Sequence, residues 1–317
     1  MLKLVPASPD WVSMMKIILV GQGPFGDKVL DTLLRKGENV VGVFCPKDKR
    51  GGAMAATALS AELAIFRPAR MKDAEVREAY LELDPDLVIL AFVTDLIPES
   101  LLNIPPLGTI CYHPSLLPRH RGASGINWAI IQGDTRTGLT ILWVDKGIDT
   151  GPILLQKEIE ITPADTTGSL YFNSLFPLGI EAIVEAVDLI KSGKAPKVPQ
   201  DDSLATYEPP CDDNAAAIDW SKPASEVYNL VRGCDPQPGA YSTLNGEKVR
   251  LYNAMLTETT EDASPGQIIG IDAGEVVVAL NGGALKIGKI KAGQGAKLVA
   301  DKFAKEMDLK IGMRFGS

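Results

Sequence analysis

The sequence has 317 residues, of which 45% are hydrophobic and 23% are charged, and this ordinary globular composition excludes a largely disordered chain. Its net charge of −8 argues against a broad nucleic-acid-binding surface, although it is compatible with a local basic patch. None of the four cysteines belongs to a CxxC motif, so the sequence indicates neither a zinc site nor a disulfide scaffold, and we expect no metal and a reducing, cytoplasmic location.

Residues 1–14 precede the first predicted strand and read as an extension. They lack the basic region and long apolar core of a signal peptide, and no apolar run in the sequence approaches the roughly 18 residues of a membrane helix. We therefore expect no membrane partner. Met15 is the more natural start of the protein, and a flexible tail is the alternative interpretation of the extension.

A β–α–β unit opens the folded part of the sequence, with strands at 16–20 and 40–44 and a helical apolar pattern over 27–36. The loop between them, which begins Gly21-Gln22-Gly23, matches the GxGxxG pattern of dinucleotide-binding loops. The acidic residue expected after the second strand is missing, so NAD is not the expected cofactor. A tight turn without a ligand, or one edge of an acceptor pocket, is favoured instead.

The next segment contains the strand that we predict at the centre of the sheet. Residues 86–92 form the most hydrophobic strand of the sequence, which is typical of parallel strands buried on both faces. The loop 93–98 follows its carboxyl end, where ligands bind in open α/β sheets. Loop 45–53 carries three cations and reads as a solvated turn, with a small anion-contact patch as the alternative. Further predicted elements are helices at about 54–63 and 73–83 and a strand at 64–66.

The stretch Gly108–Gly151 carries both histidines of the sequence, His113 and His120. A predicted strand at 108–112 delivers His113 to its end, and two prolines shortly after keep the chain extended. Asp145 and Asp149 lie on a later loop between two strands. The elements predicted after His113 are a helix at 124–132, paired strands at 137–144 and 153–159, and a helix at about 166–191 that Pro177 is able to kink.

The clearest change in composition lies at 193–214, which is rich in Pro, Asp and Ser and which we interpret as a domain linker. A helix at about 224–232 and several short strands with Asn-Gly and Gly-Gly turns follow, and this spacing suggests a small β-barrel. The fold class is therefore α/β, with a Rossmann-like, mostly parallel sheet at 15–192 and a small OB-like β-barrel at 215–317.

The residues alone favour acid–base chemistry in the central stretch. A carboxylate such as Asp149 can orient the imidazole of His113 and raise its basicity, while the imidazole transfers protons. Cys111 lies two residues before His113 and therefore faces the same side of the strand. A Cys–His nucleophile pair is compatible with that spacing, but an inert, packed thiol is the favoured interpretation.

These motifs resemble the formyltransferase family that uses 10-formyltetrahydrofolate. The resemblance is carried by His113-Pro-Ser-Leu-Leu-Pro118, by Asp145-Lys-Gly-Ile-Asp149-Thr-Gly, and by a C-terminal segment that begins Asp219-Trp-Ser. It covers about residues 15–317. The family includes methionyl-tRNA formyltransferase, glycinamide ribonucleotide formyltransferase, which lacks the C-terminal domain, and the N-terminal hydrolase domain of 10-formyltetrahydrofolate dehydrogenase.

The family's catalytic set is an Asn, a His two residues later and an Asp, so the resemblance implies catalytic roles for His113 and Asp149. Cys111 stands at the Asn position, and a thiol is a weak donor for the formyl oxygen. The dehydrogenase's hydrolase domain also lacks this Asn, and it shares the string at Tyr112–Ser124 followed by Ile126-Asn-Trp128. The match is therefore closer to that branch.

The resemblance also implies where the folate and the acceptor bind. The folate co-substrate, 10-formyltetrahydrofolate, is expected at the residues Phe92, Val93, Ile97, Asp145, Gly147 and Ile148. The acceptor is expected beside Gly21, Gln22, Gly23, Ser115, Leu116 and Leu117.

The expected reaction passes the formyl group to water or to a small amine and gives tetrahydrofolate. Formylation of initiator tRNA is the alternative, but the acidic charge and the short basic loop at Lys47, Lys49 and Arg50 disfavour it. A non-catalytic folate-binding module is the second alternative, because Cys111 departs from the family pattern.

Overall fold

The computed structural model describes residues 15–259 and 261–316, so the predicted extension at 1–14 lies outside the described residues. The strands are β1 Ile17–Gly21, β2 Val40–Phe44, β3 Ala64–Phe66, β4 Leu87–Ala91, β5 Thr109–His113, β6 Arg136–Trp143, β7 Ile153–Glu160, β8 Ala240–Leu244, β9 Glu247–Thr257, β10 Ile268–Asp272, β11 Glu275–Leu280, β12 Gly283–Ala292 and β13 Leu298–Val299. The helices are α1 Gly23–Arg35, α2 Gly52–Ser60, α3 Ala74–Leu83, α4 Glu99–Leu102, α5 Gly125–Ile131, α6 Thr167–Leu170, α7 Phe176–Lys191, α8 Ala224–Gly233 and α9 Ala300–Glu306.

Contacts between Cα atoms divide the chain into two compact units, and the chain passes from one to the other five times. The first unit holds the described residues up to Arg121 together with Gly138–Glu158 and Leu175–Thr206. The second holds Gly122–Thr137, Ile159–Ser174 and the described residues from Tyr207 onward. Neither unit is therefore a single continuous segment.

The first unit is built around a seven-stranded sheet with the order β3-β2-β1-β4-β5-β6-β7. The strands from β3 to β5 are parallel, and β6 runs antiparallel to β5. Every residue of β1 and β4 is buried, as expected for parallel strands covered on both faces. The mostly parallel, Rossmann-like sheet predicted from the sequence is therefore confirmed.

Two helices of this unit show how proline sets helix boundaries. Helix α1 begins at Gly23, four residues before its predicted start, because Pro24 is tolerated in the first turn of a helix. Before α7, the hydrogen-bonding pattern changes to a π-helical turn at Tyr171–Leu175. Pro177 follows as the second residue of α7 and has no N–H to donate, which accounts for a break in the regular ladder at this point.

The helical segment Thr167–Lys191 is long and apolar enough to cross a membrane by length and composition, and it is the one such helix among the described residues. Core helices of proteins outside membranes meet the same criteria. Ala182, Ile183, Ala186 and Val187 are buried, and α7 packs against α1. The apolar character of α7 is therefore accounted for by its contacts within the first unit.

The second unit contains a six-stranded antiparallel sheet in which strands are paired in the order β10-β11-β12-β9-β8, with β13 beside β12. The C-terminal segment joins the two ends of this path, since Phe315 N–H donates to the Gly266 carbonyl at 2.8 Å and Gly316 N–H donates to the Thr243 carbonyl at 2.8 Å. The predicted C-terminal β domain is therefore confirmed as an antiparallel sheet domain.

The segment 193–214, predicted as a linker, differs from that expectation in the structure. Val198 exchanges two main-chain hydrogen bonds with Ile153, and Thr206 N–H donates to the Pro118 carbonyl, so residues up to Thr206 belong to the first unit. Beyond them, Cys211 N–H donates to Ser124 Oγ within the second unit. The prolines made this segment resemble a linker. In the structure, main-chain groups up to Thr206 are hydrogen-bonded within the first unit, and the main-chain N–H of Cys211 is hydrogen-bonded within the second.

Candidate active site

His113 is the last residue of β5, and it is buried at the carboxyl edge of the parallel strands. Its Nε2 lies 2.8 Å from the carbonyl oxygen of His120. Because a carbonyl only accepts, Nε2 carries a proton and donates it. The other ring nitrogen, Nδ1, lies 3.5 Å from Asp149 Oδ2. The structure thus brings together the two residues that the sequence singled out, and it leaves Nδ1 as the nitrogen that faces the carboxylate.

The loop that carries Asp149 has a fixed local geometry. Asp145 Oδ1 accepts hydrogen bonds from Gly147 N–H at 2.9 Å and from the Thr150 hydroxyl at 2.6 Å. A Cβ atom on Gly147 would lie 2.0 Å from Thr150 Oγ1, so the turn closes only around a glycine. Asp149 itself has a φ of 56°, a left-handed conformation that Asp tolerates better than most residues. The loop therefore holds Asp149 at a set position.

A glutamine from the predicted linker fixes the same loop from the other side. Gln200 Nε2 donates to the carbonyl oxygens of Asp149 at 2.8 Å and of Gly151 at 2.7 Å. Its Oε1 accepts from Arg121 Nη2 at 2.8 Å, and His120 N–H donates to Thr206 Oγ1 at 2.8 Å. The sequence analysis missed Gln200 and Thr206, because nothing in the local pattern shows that a polar residue between prolines reaches back about 50 residues along the chain.

Cys111 lies in β5 beside this pair, with its Sγ 3.5 Å from the Tyr112 carbonyl oxygen. Burial raises the pKa of the Cys111 thiol well above its ordinary value, and the negative charge of Asp149 raises it further. A thiol that stays protonated is a poor nucleophile. This argues against the Cys–His nucleophile pair and for a neutral thiol next to the acid–base pair.

Two loops beside the pair expose apolar side chains. Phe92 is 40% exposed, Leu96 is 71% exposed and Ile148 is 52% exposed. On the same loops, Val93, Ile97 and Val144 pack against one apolar cluster of the first unit. Exposed apolar side chains next to polar groups are typical of a ligand surface. The residues predicted to bind folate lie on these loops, and Leu96 is an addition that the sequence analysis missed.

The glycine loop lines a cavity of about 310 Å³ in the first unit, whose wall also includes Arg50, Arg70 and, from the loop predicted to bind folate, Val93. It lies where β1 and β4 are neighbours, the point at which the strand order reverses. Because Gly21 pairs with Ala91 and Leu90 pairs with Cys111, the glycine loop itself is about two strand spacings, or roughly 10 Å, from the end of β5. The loop predicted as one edge of an acceptor pocket thus borders a real cavity.

Two of the three remaining residues predicted on the acceptor side are buried. Ser115 is fully buried, and its hydroxyl donates to the Arg119 carbonyl at 2.7 Å. Leu117 is also buried, with its carbonyl oxygen bonded to Gln156. Burial argues against acceptor contact for both side chains, whereas Leu116 between them is half-buried. Within the described residues, no group of three or more His, Cys, Asp or Glu side chains is placed to hold a metal ion.

Comparison with known proteins gives two family matches and a set of relatives. The formyl transferase model matches residues 15–187, and the model of the formyl transferase C-terminal domain matches residues 211–308. The chain is 41% identical over 304 residues to mitochondrial 10-formyltetrahydrofolate dehydrogenase of Mus musculus, covering 91% of this chain and 33% of that protein. It therefore spans about a third of the length of that relative.

Two further comparisons cover different parts of the family. A methionyl-tRNA formyltransferase of Syntrophus aciditrophicus is 37% identical over 280 residues, covering 86% of this chain and 89% of that protein. Among solved structures, HypX from Aquifex aeolicus in complex with tetrahydrofolic acid aligns with a TM-score of 0.71 at 21% identity, covering 94% of this chain and 48% of that chain. At this identity the structural match shows the fold alone.

Proposed function

The chain belongs to the formyl transferase family, and we propose that it removes the formyl group of 10-formyltetrahydrofolate and passes it to water or to an amine, leaving tetrahydrofolate. The observation that carries this proposal is the contact of His113 Nδ1 with Asp149 Oδ2 at 3.5 Å. It lies at the carboxyl edge of the parallel strands, beside two loops with exposed apolar side chains.

The hydrogen bonds assign a different task to each ring nitrogen of His113. Nε2 is held by the His120 carbonyl, so it orients the ring and takes no part in proton exchange. Nδ1 faces Asp149 and is the nitrogen that, when it carries a proton, donates to a formyl oxygen as negative charge develops on it. The carboxylate of Asp149 can accept the proton of the attacking water or amine.

The co-substrate fits the exposed loops. A pterin is a flat ring system that needs apolar contact on its faces, and Phe92 and Ile148 present apolar surface on the two loops beside His113. The Asp145 loop is closed by its own hydrogen bonds, so it offers a preformed edge rather than a mobile one. The mouse relative is named for 10-formyltetrahydrofolate, which supports the same co-substrate for this chain.

We propose water as the acceptor in preference to an amine. The thiol of Cys111 replaces an amide donor, which weakens stabilisation of the formyl oxygen, and the match to the dehydrogenase relative is stronger in identity than the match to the methionyl-tRNA formyltransferase. The second candidate is formylation of initiator methionyl-tRNA, which the 89% coverage of that relative supports. The net charge of −8 weighs against it.

The test is to incubate the full chain with 10-formyltetrahydrofolate alone, with small amines and with charged initiator tRNA, and to measure tetrahydrofolate and formate. We expect tetrahydrofolate and formate in equal amounts without added acceptor. Tetrahydrofolate formed only with tRNA would instead support the second candidate. If no tetrahydrofolate is formed under any condition and the protein still binds tetrahydrofolate, the result would support a non-catalytic folate-binding module.

A matched pair of variants makes this test specific. His113→Gln removes the Nδ1 donor, so we expect formyl release to fall by about 10²- to 10⁴-fold while folate binding persists. His120→Gln keeps the main-chain carbonyl that binds Nε2 and is expected to lose much less. Equal activity of His113→Gln and the unmodified protein would refute the assigned role.

A further inference from the structure

Two cysteines face each other in the second unit. Cys211 Sγ and Cys234 Sγ lie 3.8 Å apart, and both are reduced. Cys234 is fully buried after the end of α8, whereas Cys211 is partly exposed. We propose that Cys211 and Cys234 form a thiol–disulfide exchange site that reacts with small, negatively charged disulfides of the glutathione type.

The two thiols differ in the way that such a site requires. The two sulfur atoms share a hydrogen bond in which either thiol can be the donor, and this bond lowers the pKa of Cys211 against partial burial and the nearby charge of Asp212. Thiolates are the attacking species in disulfide exchange, and the attacking sulfur must be reached by the disulfide. Because Cys211 is partly exposed and Cys234 is fully buried, Cys211 is the attacking thiol and Cys234 is the resolving thiol.

Cys211 opens onto a second cavity of about 480 Å³ whose wall also includes Arg250, Tyr252, Lys291 and Lys297. Arg250 and Lys291 are directly opposite in the β9–β12 pair, so their side chains lie on one face of the sheet. The guanidinium of Arg250 is bonded to Asp213 at 2.6 Å, which leaves the two lysines as the main source of positive charge at the cavity wall.

The position of Lys297 shows how concentrated this charge is. Its ammonium group lies 3.3 Å from the centre of the Tyr252 ring. Burial lowers the pKa of Lys297, and the charges of Lys289 and Lys291 lower it further, against the opposing effect of Asp235. A carboxylate of a glutathione-type disulfide would relieve this repulsion, whereas an uncharged disulfide would not. The cavity wall therefore selects for a negatively charged partner.

The proposed reaction proceeds in two balanced steps. Cys211 thiolate attacks one sulfur of glutathione disulfide, forms a mixed disulfide and expels glutathione thiolate, which takes up the proton that Cys211 lost. The Cys234 sulfur then attacks the Cys211 sulfur of the mixed disulfide and expels the second glutathione, which takes up the Cys234 proton. Two protein thiols are oxidised by two electrons, and one glutathione disulfide is reduced to two thiols.

The experiment treats the full chain with glutathione disulfide, quenches it with an alkylating reagent at set times and identifies cysteine states by peptide mass spectrometry. We expect a linked peptide containing Cys211 and Cys234, formed at least tenfold faster than any modification of Cys45, whose pKa burial raises. In Cys234→Ser the mixed disulfide at Cys211 should accumulate. Equal rates at Cys211 and Cys45, or the absence of the linked peptide, would overturn the proposal.

A second arm tests the charge of the cavity. Lys291→Gln with Lys297→Gln should slow the reaction with glutathione disulfide by roughly three- to tenfold and leave the reaction with uncharged hydroxyethyl disulfide unchanged. The matched control is Lys286→Gln, on the same strand but paired with Glu275 at 3.5 Å, which should change neither rate. Equal slowing with both disulfides would refute selection of a negatively charged partner.

Discussion

At the scale of single residues, the two ring nitrogens of His113 have different partners, one on the main chain and one on the proposed catalytic carboxylate. Nε2 is committed to the carbonyl of His120, which ends a turn over residues 117–120 where the two prolines led us to predict an extended chain. Nδ1 meets Asp149. A main-chain partner cannot be removed by substitution at His120, so the orientation of the ring is insensitive to the identity of that side chain.

Cys111, the residue beside His113 and Asp149, gives the first prediction. Cys111→Asn would place an amide donor where the thiol now lies, and one such donor is worth about 2.7–4 kcal/mol or 10²- to 10³-fold in rate when its geometry is ideal. We expect formyl release to rise by about tenfold or more. Cys111→Val, which has no donor, is the matched control and should not accelerate. The measurement is tetrahydrofolate formation under single-turnover conditions; a rate that is unchanged or lower in Cys111→Asn would show that another group serves the formyl oxygen.

The sequence was sufficient to predict that His113 and an aspartate of the later loop lie together, because a chain with two histidines offers few candidates for imidazole chemistry and strand ends are where ligands bind. The family resemblance selected Asp149, whose carboxylate lies 3.5 Å from the ring. It was insufficient for Gln200 and Thr206. Their partners lie more than 45 residues away along the chain, and hydrogen bonds of that range leave no periodic signal in a sequence. For Ser115 the motif was clear in the sequence, but only the structure shows that its hydroxyl donates to the Arg119 carbonyl.

At the scale of elements, the side chain of Gln200 connects the segment 200–206 to the loop that carries Asp149. Gln200 donates to both the Asp149 and Gly151 carbonyls, so this segment positions the Asp149 loop. Gln200→Ala should let that loop shift, and a displacement of about 1 Å can cost up to 10²-fold in rate. We expect formyl release to fall by about tenfold or more with little loss of thermal stability.

The control for that prediction lies three residues after Gln200, in the short 3₁₀ turn Asp202–Leu204. Ser203→Ala removes a hydroxyl that donates to Asp201 and that has no part in the loop, so activity should be retained. The two variants are compared by the rate of tetrahydrofolate release and by thermal unfolding. A normal rate in Gln200→Ala would show that the hydrogen bonds of the Asp145 turn suffice to hold the loop.

The start of α6 gives a prediction with a pH dependence. Partial burial raises the pKa of the Asp165 carboxyl, but hydrogen bonds from the Thr162 side chain and main chain and from Ser169 outweigh it, so the pKa lies below the ordinary 3.8. A carboxyl whose pKa is lowered on folding stabilises the folded state above the unfolded pKa, and this contribution is lost as the pH falls through the folded value.

Asp165→Asn should therefore lower the midpoint of thermal unfolding at pH 7 by roughly 2–4 °C, which corresponds to about 1 kcal/mol. The difference from the unmodified protein should persist down to pH 5 and shrink only as the pH falls below 3.8. Asp308→Asn, a largely exposed carboxylate beside Lys310, should have little effect at any pH. A difference that is already lost at pH 5 would contradict the lowered pKa.

Element boundaries were predictable to the extent that local chemistry sets them. The predicted strand at 40–44 and the predicted strand at 64–66 coincide with β2 and β3, because short β-branched or apolar runs between polar turns define their own ends. The helix starting at Gly23 was placed too late, since a glycine loop gives no apolar periodicity from which to extend a helix.

At the scale of the whole molecule, the two units interrupt each other along the chain. Helix α5 belongs to the second unit, where it packs against α8, and its residues Ile126, Ala129 and Ile130 are buried. Its Asn127 side chain donates to the Gly233 carbonyl at 2.8 Å. The sequence placed a domain boundary near 193–214 because composition changes there, but composition carries no information about which unit a helix packs into.

A fragment that ends at Thr206 should therefore not behave as an independent catalytic domain. It retains α5 but lacks α8, so the apolar face of α5 would be exposed to water. We expect low solubility and strong binding of the dye ANS compared with the full chain. A soluble fragment that does not bind ANS and that unfolds cooperatively would contradict this expectation.

The passage of the chain between its two units five times has a consequence for its synthesis. Helix α5 is made about 90 residues before α8, an interval that lasts on the order of 5–18 s at roughly 5–20 residues per second. During that interval the apolar face of α5 lacks its main partner on the nascent chain, since of the helices it packs against only α6 precedes α8. The protein is consequently expected to depend on ribosome-associated chaperones, and to do so in one window of translation that opens after residue 131 and closes when α8 has emerged.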